Sequence, residues 1–495
     1  LPANFVHRDH HAIVMPGKGL IYSANDGGVA ISKDGGTTWE DRSRGMINTM
    51  FYDVDVAPSN SRIFGGGAQD TGSLIAGVRG RNKLEFTRVL GGDGGWMVFD
   101  PTNAQRVFAS TADVIVSRHL PGEPWAAGDQ LANWPEVFPG QAPISKAERG
   151  LRSIVVTAIE PVRRRTSKKV WIGTCRLWVS EDQGDFWEPA SPVFDTSAIS
   201  AIEISTADPR VMFVGTTAGG IFRTTEGGRR GSWSADLAGP LIPKRLISQI
   251  EAHPKDPKVV VITVASSGAP GPSLTRTDRP YSHVFCSRDM GQSWSDLDRG
   301  TLPNVVFNAL AFETHPPYRV FVGGDAGVWM RQGGRWVSVT ANMPNVVVSD
   351  LVYHHDDRIL TAATYGRGIW RLKVPRRSIH VRPGRTSSDD LADPPGAVGF
   401  VVDESVPRPV PIAPEDGAEI DFPRNTHLKW KPVPGALMYS IEVRYGSGSF
   451  SMDATGPEHV FQGLGMGDAR WRVWAVLPDG RRSRPSQERL VTYLR

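Results

Sequence analysis

Ser32-Lys-Asp34-Gly-Gly36-Thr-Thr38-Trp39 and Ser287-Arg-Asp289-Met-Gly291-Gln-Ser293-Trp294 are two copies of one octet, S/T-x-D-x-G-x-T/S-W. A third copy, Ser180-Glu-Asp182-Gln-Gly184-Asp-Phe186-Trp187, departs only at Phe186. Worn copies run from Thr224 to Trp233, with Glu226 in place of Asp, and from Met330 to Trp336. The residue types describe a β-hairpin turn: the Asp carboxylate accepts backbone N–H groups across it, Gly supplies a positive φ, and Trp packs between sheets. Asp34, Asp182 and Asp289 with Trp39, Trp187 and Trp294 are therefore read as structural.

Working upstream, each copy follows a second phrase: an alternating apolar strand, a turn, and a short apolar run. Ala201-Ile-Glu-Ile204 leads to Met212-Phe-Val-Gly215 and then Gly220-Ile-Phe-Arg223; Ala309-Leu-Ala-Phe312 leads to Val320-Phe-Val-Gly323 and then Gly327-Val-Trp-Met330. One unit is thus four antiparallel strands over roughly 45 residues, the length of a propeller blade. Innermost strands are expected near His11, Tyr52, Met97, Ile154, Ile199, Ile247, Ala309 and Asp350. The fold class is all-β, a single propeller over residues 1–373, with eight blades favoured over seven and Leu1 to Phe5 closing the ring. Residues 374–410, rich in Pro, Gly, Asp and Ser, read as a linker, and residues 411–495 as a β-sandwich.

Composition agrees with many short strands and tight turns: Gly 53, Pro 38 and Trp 15 in 495 residues. The 56 basic residues against 52 acidic leave +4, with arginines scattered, so nucleic acid is not the expected partner. Cys175 and Cys286 lie in different repeats and make no disulfide framework. No apolar stretch reaches the roughly 18 residues of a membrane span. The chain opens LPANFVHRDHH, which is read as a processed or truncated start.

The octets resemble the Asp-box, or bacterial neuraminidase repeat, of sialidases, xyloglucan-degrading glycosidases, sortilin-type receptors and photosystem assembly factors. HRDHHA, GAQDTGS, GGDGGW and ATYGRGIW are similar to phrases in large secreted bacterial propellers of the glycosyl-hydrolase type. This resemblance covers residues 1 to about 373. It implies a secreted, periplasmic or cell-surface protein, with the box on the third-to-fourth strand turn, away from the usual binding face. The sialidase F/Y-R-I-P element does not occur. Trp430, Pro434-Gly-Ala436 and the late Trp471-Arg-Val-Trp474 resemble a fibronectin type III domain.

Function in a propeller belongs at the face where the loops entering the innermost strands meet the loops joining second and third strands. Those loops carry Asp9, Asp26, Asp70, Asp93, Trp96, Arg176, Asp325, Tyr365 and Arg367. Because a second-to-third loop lies beside the next blade's entering loop, Asp70 is expected beside Asp93, and Arg367 beside Asp9. Asp70 and Asp93 are the candidate acid and base of glycoside hydrolysis. The others are candidate ligand-binding residues, and each Asp also suits a turn-capping role. His7, Asp9 and His11 share one face of an extended strand and have ligand types that suit a metal ion; otherwise no cofactor is expected. Two functions stay open: a secreted carbohydrate-active protein, a glycoside hydrolase using the paired Asp residues at the channel mouth, and a non-catalytic propeller holding a protein or peptide.

Overall fold

The computed structural model describes residues 6–494 except 8, 44, 79–84, 112–113, 126–133, 141, 150–155, 160–168, 266–281, 299–301, 304, 333, 341–342, 345, 376–402, 422–424, 437, 446–447, 455, 463–466 and 478–480. The expected closing strand at Leu1–Phe5 and most of the linker lie outside the described residues. The rest is all-β apart from one helical turn, Lys146–Arg149.

Eight antiparallel sheets of the blade type follow one another, at residues 10–41, 55–90, 94–138, 156–189, 199–224, 247–296, 307–338 and 348–373. Six have four strands; the sheets at 199–224 and 348–373 have three. Their second strands are short continuous apolar runs, such as Met212–Thr216 and Val320–Gly324, buried at every position. Both faces of such a strand meet a neighbouring sheet, so the polar alternation of a one-sided strand is lost.

Seven of these sheets form the ring, numbered here blade 1 (55–90) to blade 7 (348–373). Their inner strands, from Asp55–Val56 through Gly94–Asp100, Val156–Ile159, Ile199–Ile204, Ile247–His253 and Phe307–Phe312 to Val348–His354, pack side by side, and the last returns to the first. The Phe51 and Val54 N–H groups donate to the Thr364 carbonyl (3.0 Å) and Asp350 Oδ2 (3.1 Å), and Arg371 donates to the Ser61 carbonyl (2.7 Å). The inner-strand contacts thus run through seven sheets, the smaller of the two counts that the sequence left open. The sheet at 10–41 has a blade's sequence but stands outside the circle, with its inner strand His10–Gly17 exposed throughout. The octet marks a turn within a sheet and says nothing about which sheets adjoin.

Inner strands of adjacent blades share no ladder, so side chains satisfy the free backbone edges. One polar side chain at the same place in four successive blades donates to the next blade: Ser200 to the Ile247 carbonyl (2.7 Å), Ser248 to Phe307 (2.8 Å), Asn308 to Val348 (3.2 Å) and Ser349 to Phe51 (2.6 Å).

The octets lie between third and fourth strands. In each complete copy the Asp carboxylate accepts the backbone N–H four residues on: Thr38 at 2.8 Å, Phe186 at 2.9 Å and Ser293 at 2.8 Å. The Ser hydroxyl likewise accepts the N–H of Gly36, Gly184 or Gly291. In the ring the tryptophan indole then reaches the preceding blade: Trp187 donates to the Val137 carbonyl (2.8 Å), Trp233 to Ala190 (2.9 Å), Trp294 to Leu237 (2.9 Å) and Trp336 to Leu297 (3.2 Å).

The C-terminal unit is two sheets. One has the order Val410–Ala413, Asn425–Lys431, Glu458–Gln462; the other Ala418–Asp421, Arg489–Leu494, Gly467–Val476, Met438–Tyr445, Gly448–Ala454. Trp430, Trp471, Tyr439 and Tyr493 fill the space between them, joined by Val406.

Candidate functional site

The mouth of the ring begins at the turn after the second strand of blade 1. Asp70 sits there with φ 55°, and its N–H donates to Asp93 Oδ1 at 2.7 Å. The outlying first sheet reaches over this turn: His7 Nε2 lies 3.2 Å from the Asp70 carbonyl, and His11 pairs with Asp26. Carboxylate oxygens of Asp9, Asp26 and Asp70 come within 4.8 Å of one another. Burial, then the charges of Asp93 and Asp26, raises the Asp70 carboxyl above the usual range. Asp70 is therefore a weaker acid than an ordinary aspartate.

Beside these carboxyls stand two tyrosines. The rings of Tyr52 and Tyr365 lie 5.7 Å apart, and the Tyr365 hydroxyl donates to Gln69 Oε1. Burial, Tyr365 and the carboxylates of Asp93 and Asp70 push the Tyr52 phenol well up, so it stays a donor. Tyr365 is 36% exposed and offers a partly open aromatic edge.

The remaining candidates separate. Arg367 turns back on the Gly366 carbonyl (2.7 Å) and lies by Thr49, whose carbonyl accepts the Gly366 and Gly368 N–H groups. The expectation that it adjoins Asp9 rested on closure at the first sheet; with closure at blade 1, its turn meets the chain entering that blade. Arg176 is held by the buried Glu148 at 3.1 Å. Asp325 lies over blade 6, its carboxyl raised by burial. His7 and His11 are engaged with Asp70 and Asp26, so among the described residues the acidic trio, not His7, Asp9 and His11, has metal-like spacing. Cys175 is buried, and burial raises its thiol.

Behind the mouth, the channel holds a cavity of about 320 Å³ into which Trp96 projects with five carboxyls: Asp53, Asp55, Glu203, Glu251 and Asp350. No Lys, Arg or His is among its described lining residues. Four of the five also bridge blades: Asp53 accepts the Met97 N–H (2.7 Å), Asp55 that of Phe99 (2.7 Å), Glu203 that of Ala252 (3.0 Å), and Asp350 that of Val54. Burial raises all five carboxyls, to about 7 at Asp55 and Glu203, to about 6 at Asp350, and well above the ordinary value at Asp53 and Glu251, where neighbouring carboxylates add to it. The sequence reading missed this group. Its signal was Asp53/Asp55 and Gln249/Glu251 at alternate positions of strands otherwise apolar.

The family model described as Sortilin, neurotensin receptor 3 (Sortilin-Vps10) matches residues 175–316. No curated protein matches the chain. Among solved structures, the GH74 enzyme of Niastella koreensis is similar at 14% identity and TM-score 0.46, over 73% of this chain and 48% of the enzyme, so the chain spans about half of that protein's length. The β-propeller domain of Cps50 (Swd1) from Myceliophteria thermophila is similar at 10% identity and TM-score 0.44, over 66% of this chain and 99% of that domain.

Proposed function

We propose that the chain is a carbohydrate-active propeller working at or outside the cell surface, hydrolysing glycosidic bonds with Asp70 as general acid and Asp93 as general base. The observation that carries this reading is the raised Asp70 carboxyl beside Asp93, with Tyr52 and Tyr365 next to it. A carboxyl whose acidity is weakened in this way can protonate a leaving-group oxygen, and a neighbouring carboxylate can activate water. Asp93 and Asp26 favour the protonated form of Asp70 by their charge, while Tyr365 is the sugar-facing side chain. The test is release of reducing ends from a panel of polysaccharides. Asp70→Asn and Asp93→Asn should each lower the rate about 100-fold or more. No hydrolysis by the wild type, or full activity in both variants, would end this assignment.

A second reading, a non-catalytic scaffold that holds a basic peptide, is favoured by the channel, which gathers five carboxyls without a described cation. A cationic side chain entering it would meet uncompensated negative charge in a low-dielectric setting. Titration with a fluorescent oligolysine peptide should give saturable binding that weakens about tenfold or more in Glu251→Gln. Equal affinity in wild type and variant would place the peptide elsewhere and remove this reading.

A further inference from the structure

The outlying sheet at residues 10–41 has contact groups that its two well-kept counterparts in the ring use. In the ring, the octet turns at Asp182 and Asp289 are sockets for the preceding blade, built from three elements. The tryptophan indole donates to a carbonyl at or just after that blade's fourth strand, as with Val137 and Leu237. The residue before the octet's second glycine position carries a carbonyl that receives an arginine from the preceding third strand: Arg118 to Gln183 (2.6 Å) and Arg223 to Met290 (2.7 Å). The glycine itself leaves room for an aromatic ring from the preceding second strand: Gly184 faces Phe108, Gly291 faces Phe213, and in the worn copy Gly228 faces Trp171.

In the first sheet the same three positions are Trp39, Gly35 and Gly36. The Trp39 indole donates to the Gly36 carbonyl at 3.1 Å, as Trp187 does to Gly184 in the ring, but the partner that Trp187 also finds in the preceding blade, the Val137 carbonyl, has no counterpart among the described contacts of Trp39. A side-chain carbon added at Gly35 would meet nothing within 4 Å, and one at Gly36 would meet only Ile21 and Trp39 of its own sheet. The inner strand carries Ile13, Val14 and Met15, which are 58%, 58% and 71% exposed and point to both faces of the sheet. In ring blades these faces are covered.

We propose that this sheet is a docking blade, whose octet face receives a blade of another β-propeller presenting an aromatic residue on its second strand, an arginine on its third and a backbone carbonyl at its fourth. A second copy of the chain does not supply this set: its ring is closed, and its own free sheet has the third strand Gly28–Ser32, GVAIS, without arginine.

The test places the photo-crosslinking residue p-benzoylphenylalanine at the exposed Thr37, in the protein as made by its own cells, and sequences the crosslinked peptide. The expected adduct is a peptide from a four-stranded blade with that aromatic and arginine pair. Trp39→Phe, which keeps the ring and removes the donor, should lower its yield about fivefold. Because the sheet lies outside the ring, the melting temperature of this variant should match the wild type and so separate lost docking from lost folding. An adduct to a second copy, to a peptide of any other architecture or to lipid, or no adduct at all, would overturn the proposal.

Discussion

Glu313→Ala is expected to destabilise the propeller by about 3–5 kcal/mol, read as a lowered denaturant midpoint. Glu313 follows the inner strand of blade 6 and is fully buried, as is Arg319. Its two oxygens take a bidentate pair from Arg319, at 2.6 and 3.0 Å, and one of them also binds Arg358 of blade 7. Arg319 in turn donates to the Pro375 carbonyl at 2.8 Å, beyond the last ring strand. The clasp therefore joins blade 6 to the three-stranded blade that closes the circle. Alanine would leave two guanidinium groups buried without a counter-charge, which costs far more than the pair itself contributes over an apolar filling. Glu313→Gln keeps the shape and one acceptor but not the charge, and should fall between. Replacing all three by Leu, Met and Met should lie much closer to the wild type. A Glu313→Ala midpoint shift worth less than about 1 kcal/mol would show that the clasp is not what secures blade 7.

This clasp was not legible in the sequence, and the contrast with what was legible is physical. The octet could be read because its turn depends on residue identity at fixed spacing: Ser, Asp and Gly of one copy bond to each other. Strand number and blade length follow from that short-range pattern. Ring closure depends on which sheets meet, and those contacts join residues such as Phe51 and Thr364, far apart in the chain. The first sheet carries a complete octet, so counting octets and inner strands favoured the larger count. The site divides the same way. Asp70 and Asp93 could be placed on neighbouring loops because consecutive blades fix them, whereas the chain that the Arg367 turn meets, at Thr49, is set by closure. The channel carboxyls were visible as acidic residues at alternate strand positions. Their common destination requires the ring.

Those carboxyls lead to the second large effect: the propeller should become more stable as pH falls from 8 to 5. Asp53, Asp55, Glu203, Glu251 and Asp350 all hold protons more tightly in the folded state than their ordinary values near 4 allow. Their contribution is fully present below about pH 4 and is lost as pH rises through their folded values, which include about 6 at Asp350 and about 7 at Asp55 and Glu203. Other groups work the other way, among them His354 and the carboxyls held low by hydrogen bonds or ion pairs, such as those of the octets. Burial lowers His354, whose contribution is lost as pH falls below its ordinary value near 6.5, but it is a single group. The octet carboxyls Asp34, Asp182 and Asp289 are held low by hydrogen bonds across their turns, and lose their contribution only below about pH 4. Between pH 8 and 5 the channel group dominates, with a gain on the order of 5 kcal/mol and a melting temperature higher by roughly 5 °C at the acid end. Asp350→Asn combined with Glu251→Gln should reduce the slope and leave the part due to Asp55 and Glu203, and the amide at position 350 still offers an oxygen to the Val54 N–H. A melting temperature that stays level or falls toward pH 5 in the wild type would contradict this account. The same measurement made with oligolysine present separates the two functional readings further. A cation seated among the carboxylates favours their charged form, so bound peptide should stabilise the protein most at pH 8 and hardly at all at pH 5.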